Sequence, residues 1–380
     1  MTTYYRSLDG FRALAVSMVL MIHSRWLPIG WVGVQMFFVL SGFLITGILV
    51  AQKQARFSNY IGQFYWKRCL RIWPLYFLFC ALSATAYYLI RIPETFNTAW
   101  PALISYTYNF ARISPHFNDS DYFGHFWTLC IEEQFYLVWP FVVYFLSDKN
   151  LRRLAILLII TGPAIRFLTG FVFAFALNSP QEIQRAVHNM TTSHIDAFAC
   201  GALLTLIPPD WRTCLAPRSR MILFGIGTIT ILCGLINSCY LAARGLPPHW
   251  QALGYDNMCF LHQYVWGYSL LNLTSASMIL CLLENRFLPS VFQNPAVVYL
   301  GTISYGVYVW HLPLLHILFT TWRADYHSIL GFLRFLTLVA LTILTASVSY
   351  HGFERYFLRM KQLKFTSVLS ALSKAIGLAK

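Results

Sequence analysis

Residues 31–51 read WVGVQMFFVLSGFLITGILVA, a run of 21 positions without a charged residue. As a helix it would rise about 30 Å, the thickness of the hydrocarbon core of a bilayer. Such a run is read as a membrane-spanning helix. Working outward, comparable apolar stretches recur at 10–27, 70–90, 125–146, 153–175, 193–208, 220–240, 262–283, 297–320 and 330–353. The expected fold class is therefore all-α, a polytopic membrane bundle of about ten transmembrane helices. The sixth is short and ends at Pro208-Pro209, which suggests a tilted or partly re-entrant segment. Composition agrees: the 380 residues are 57% hydrophobic and only 11% charged, with a mean hydropathy of +0.56. A soluble domain carries roughly 25% charged residues, so this chain cannot cover a water-facing surface.

The net charge of +14 would suggest nucleic acid in a soluble chain. Here the basic residues sit mostly in short loops on one side of the expected bundle, among them Lys53, Lys67, Arg68, Arg71, Arg152 and Arg212, and in the tail after residue 353. The opposite loops hold only Arg25, Arg91, Arg112, Arg185, Arg244 and Arg323. By the positive-inside rule both termini are cytoplasmic, and the charge sets topology and membrane-lipid contacts without implying a nucleic-acid partner. Residues 1–360 read as one transmembrane domain and 361–380 as a basic cytoplasmic tail. The nine cysteines form no CxxC pair or Cys/His cluster, so no metal site or disulfide framework is expected.

Ionisable groups inside spanning segments are costly and mark functional sites by default. Arg12 and His23 stand eleven residues apart, which returns them to nearly one helix face about 16 Å apart along the axis. The fourth span carries His125, Glu132 and Tyr136 at i, i+7 and i+11, again nearly one face, with Glu133 pointing elsewhere. Glu132 is placed to work with a histidine. In the ninth span Ser304, Tyr308 and His311 share a face, and Pro313 loosens the helix just beyond. His194 and Asp196 open the sixth span at the same depth. On the cytoplasmic side Arg68 and Arg71 can point two guanidinium forks the same way, a geometry suited to phosphate. Each has a structural alternative: a packed histidine, an intramembrane ion pair for Glu132, a lipid-headgroup anchor for the arginines.

These residues lie in stretches that resemble the acyltransferase-3 family of integral membrane acyltransferases. Leu8-Asp9-Gly10-Phe11-Arg12 with His23 downstream looks like its first motif, and Gly33 to Ile45 is similar to its second-helix signature. Arg68-x-x-Arg71, Trp127 to Tyr136 and Ser304 to His311 also match, so the likeness runs from about residue 5 to 355. One position departs: His194-Ile195-Asp196 stands where members often show Arg-x-Asp. The chain resembles the standalone form, without an appended hydrolase-like domain. The resemblance implies O-acetylation in a bacterial inner (plasma) membrane. An acetyl or other short acyl group would pass from cytoplasmic acetyl-CoA or another acyl-CoA to a hydroxyl of a glycan or lipid-linked sugar, such as a lipopolysaccharide or exopolysaccharide. His23 would act as general base or transient acyl carrier, held by Glu132, with Arg12 neutralising donor or transition-state charge and His311 as a further catalytic residue. Arg68 and Arg71 would bind the donor; Asp196, Tyr136 and His125 would contact the acceptor. The rival reading is a transporter or flippase with His, Glu and Arg as a proton or substrate path, which would favour matching broken helices in two halves. None is apparent in the sequence.

Overall fold

The computed structural model describes residues 4–362, apart from 92–94, 178, 256–262 and 327. The expected basic tail lies outside the described residues from 363 onward. Among the described residues there are helices and turns and no strand. The principal helices are α1 (Arg6–His23), α2 (Val32–Gln52), α3 (Phe57–Ile90), α4 (Trp127–Phe145), α5 (Asp148–Phe173) and α6 (Pro180–Asn189). They continue with α7 (Ile195–Thr205), α8 (Pro209–Ala243), α9 (Gln263–Leu283), α10 (Pro295–Thr302), α11 (Ser304–Thr321) and α12 (Ile329–Ser349). We call the end at which α1 begins the proximal face and the end near His23 the distal face.

Every expected span has a helical counterpart, but not every one meets the length and hydropathy of a membrane crossing. Six segments do: Pro28–Gln52, Phe57–Ile90, Asp148–Phe173, Pro209–Ala243, Gln263–Leu283 and Ile329–Met360. A seventh is added if α10 and α11, bent by 70°, form one broken span. The remaining three are α1, with Asp9 and Arg12; α4, with Glu132 and Glu133; and α7, only 11 residues long. Several of the candidate site residues thus lie on helices with the weakest membrane signal. Much of their surface faces other helices instead of lipid.

The break in the ninth span falls at Ile303 and not at Pro313, which α11 passes through. Gly301 sets α10 against the backbone of α1: a Cβ there would lie 1.8 Å from the Asp9 carbonyl oxygen. A second glycine contact joins α2 to α7. A Cβ on Gly201 would fall 1.8 Å from the Val39 carbonyl oxygen, and one on Gly42 2.0 Å from that of Phe198. Small residues let membrane helices meet backbone to backbone where hydrophobic drive between helices is weak. Phe198 then stacks on Phe135 at 4.1 Å, tying α7 to α4 beneath the polar centre.

Candidate active site

The last turn of α1 and the middle of α11 bring two histidines together. His311 Nε2 lies 3.0 Å from His23 Nδ1, and His311 Nδ1 lies 2.6 Å from the Tyr308 carbonyl oxygen. A carbonyl only accepts, so the proton of neutral His311 sits on Nδ1. Its Nε2 then accepts from His23 Nδ1–H, which leaves the His23 lone pair on Nε2. This is the state a general base or nucleophile requires. His125, in the turn that starts α4, packs its ring 4.8 Å from that of His311. The Tyr308 hydroxyl donates to the His125 carbonyl at 2.7 Å and pairs with Thr128 Oγ1 at 2.5 Å. His23 and His125 border a distal chamber, lying with Tyr308 in the wall of a cavity of about 680 Å³, and His311 packs behind them.

A smaller chamber, about 230 Å³, lies in the middle of the bundle and is lined by Arg12, Ser41, Arg68, Arg71, Glu132 and Tyr136. Ser41 donates to Glu132 at 2.5 Å, and the Tyr136 hydroxyl donates to Ser41 at 3.2 Å. The Arg68 guanidinium lies over the Tyr136 ring, 5.2 Å from its centroid. Arg12 is ion-paired to Asp9. Among the described residues Arg68 and Arg71 make no ion pair. Toward the proximal face a third cavity of about 670 Å³ is lined by Asp9, Arg12, Arg71, Arg212 and Glu354. Successive chambers share walls: Val34 and Tyr308 line the distal and middle ones, Arg12, Arg71 and Tyr305 the middle and proximal ones. The bundle therefore holds a series of cavities, cationic at one end and histidine-lined at the other.

Three expectations change. Tyr136, expected at the acceptor, lines the middle chamber and not the distal one. Glu132 does not hold His23: it belongs to the middle chamber with Ser41, and the partner of His23 is His311. Helical periodicity placed Glu132 at a suitable angle but could not fix its depth against a different helix. Asp196 lines none of the three chambers. It is buried against Arg166 of α5, with Nη1 donating to Oδ1 at 2.8 Å, and it also accepts from Ser269 and Asn272. The cation absent from position 194 is thus supplied from another helix. His194 is a buried packing residue between Gln35 and the His188 carbonyl. Sequence reading missed Arg166, although a lone charge deep in an apolar run was signal enough. It also missed Ser41, His188 and Glu354; Glu354 is buried on a π-helical turn (Tyr350–Glu354), a feature frequent at functional sites.

A multi-pass helical membrane protein with an arginine-lined chamber leading to a histidine pair is the class these features define. The chain belongs to the acyltransferase-3 family: residues 5–351 match its acyltransferase domain. It is 29% identical to a peptidoglycan O-acetyltransferase of Listeria monocytogenes over 95% of this chain and 58% of that protein. It is 27% identical to a putative peptidoglycan O-acetyltransferase of Bacillus subtilis, over 97% of this chain and 60% of the relative. A putative O-acetyltransferase of Staphylococcus aureus is 25% identical over 93% of this chain and 57% of its own length. The chain thus spans about three fifths of the length of these curated relatives. No solved structure gives a significant match.

Proposed function

We propose that this chain is a membrane O-acetyltransferase that passes an acetyl or similar short acyl group from cytoplasmic acyl-CoA to a hydroxyl of a glycan on the other side. The observation that carries the reading is the series of chambers with shared walls, from Arg12 and Arg71 to His23. With both termini cytoplasmic, the proximal face is where a coenzyme A phosphate would meet the Arg71 guanidinium, which makes no ion pair among the described residues. The acyl thioester, on its long flexible arm, would reach through the middle chamber. The acceptor hydroxyl would enter from the distal side. Its oxygen attacks the thioester carbonyl carbon as its proton passes to His23 Nε2. The C–S bond then breaks and the leaving thiolate takes up that proton, giving the O-acyl glycan and free coenzyme A. His311 keeps His23 in the competent tautomer, Arg12 offsets negative charge on the donor, and Arg68 and Arg71 hold it. Tyr136 and Glu132 form the wall along which the acyl arm passes, and His125 borders the acceptor. The named activity of the relatives makes a cell-wall glycan one acceptor to test beside lipid-linked and exported sugars.

Thiol release from acetyl-CoA by the protein in nanodiscs, with mixed glycan acceptors, tests this. His23→Ala is expected to lower the rate by about 10²–10⁴-fold, the usual span for a general base, with an unchanged melting temperature. A rate insensitive to His23→Ala, or no binding of acetyl-CoA by calorimetry, would end the reading.

A further inference from the structure

The distal chamber carries more charge than acyl transfer to a neutral sugar requires. Helix α6 lies on that face, and its start is anchored by a capping box in which the Ser179 side chain and Glu182 bond reciprocally. Arg185, His188 and Asn189, at i, i+3 and i+4, all line the chamber. His188 Nδ1 is held 2.7 Å from the Tyr268 hydroxyl, and its ring packs 4.4 Å from Trp127, another wall residue.

The charges on this wall do not balance. Arg112 is neutralised by Asp119 at 2.5 Å and also donates to Asn189 at 3.2 Å. Asp121, the other carboxylate of the wall, faces His316 at 3.5 Å. Arg25 is exposed and lies over the Tyr326 ring, 5.0 Å from its centroid, whereas Arg185 is half-buried. Neither Arg25 nor Arg185 makes an ion pair among the described residues. A partly desolvated guanidinium without a counter-ion is stabilised by an anion that enters beside it, and its planar fork suits a carboxylate or phosphate. Trp127 and His188 supply flat surface next to these donors, the usual make-up of a site that orients a small polar ligand.

We infer that the acceptor is an acidic glycan, whose carboxylate or phosphate sits on Arg185 of α6 while a nearby hydroxyl faces His23. The inference rests on the acyltransferase reading and adds the class of acceptor to it.

The test uses the protein in nanodiscs with acetyl-CoA and three size-matched oligosaccharides: one neutral, one bearing a uronate, one bearing a phosphomonoester. The wild type is expected to favour one acidic oligosaccharide over the neutral one by tenfold or more in kcat/KM, and which of the two it favours identifies the anion. Arg185→Gln should cut that preference at least fivefold, mainly through KM, and Arg185→Lys should restore part of it as a point charge. Equal use of neutral and acidic acceptors by the wild type, or an undiminished preference in Arg185→Gln, overturns the inference. Binding of the acidic oligosaccharide, followed by thermal shift, decides the question without turnover: weaker binding to Arg185→Gln supports it and equal binding rejects it. Thiol release from acetyl-CoA in the same samples reports separately on the donor reading.

Discussion

Arg166–Asp196 and Arg12–Asp9 are the same chemical pair in two settings. The side chains of Arg166 and Asp196 are 0% and 1% exposed, and their remaining hydrogen-bonding positions are taken up by Ser193, Val265, Ser269 and Asn272. The pair borders no chamber. Arg12 is 19% exposed, is bonded only to Asp9 among the described residues, and borders two chambers. A saturated pair in a packed interior joins α5, α7 and α9; an unsaturated one beside a cavity has donors left for a ligand. Location within a membrane segment therefore does not by itself separate architecture from chemistry. The number of partners and the adjacent space do.

The comparison is most open to attack at Arg166. Arg166→Ala leaves Asp196 buried and unpaired, which should destabilise the protein by about 3–5 kcal/mol. The expected result is a large loss of monodisperse material in fluorescence-detected gel filtration. Replacing both partners, as Arg166→Met with Asp196→Leu, should recover most of that loss, because burying a charge pair is itself costly. An Arg166→Ala protein that is fully stable but inactive would reverse the assignment and place this pair in the chemistry.

Arg12→Gln should behave the other way. Transfer is expected to fall about 10–100-fold in kcat/KM, the scale of one lost hydrogen bond from a charged group to the donor. Stability should stay within about 1 kcal/mol of wild type, as for a change that breaks no packed network. If Arg12→Gln fails to fold, the contrast between the two pairs disappears.

The smallest effect tests whether the middle chamber belongs with Arg12. Ser41→Ala removes the hydrogen bond to Glu132 and should cost about 1 kcal/mol, a roughly fivefold loss in kcat/KM. An effect on melting temperature alone would group Ser41 and Glu132 with the structural pair.

How much was legible in the sequence differs from helix to helix. The run at 31–51 announces α2 because its length and uninterrupted apolarity match the bilayer. Arg12 and His23 were legible as a site because helical geometry fixes both their shared face and their spacing along one rod. The partner of His23 was not, since His311 is 288 residues away and only the crossing of α1 with α11 selects it over Glu132. Helix α6 was read as part of a loop: it is polar on average, too short to span, and its chamber-facing stripe means nothing until Trp127 and Tyr268 are placed beside it.

The sequence by itself determined the solvent of the fold, the all-helical class, the family and the short list of residues able to carry the chemistry. Those properties depend on local composition, on the 3.6-residue period and on motif order, all of which are written along one dimension. Only the tertiary structure decided which charges pair off in silence and which face space, which histidine sets the tautomer of His23, and how three chambers line up between the arginines and the histidine pair. Helix depth, rotation and crossing are set by contacts between distant segments, such as the glycine-to-backbone meeting of α2 and α7. No window along the chain contains both sides of such a contact.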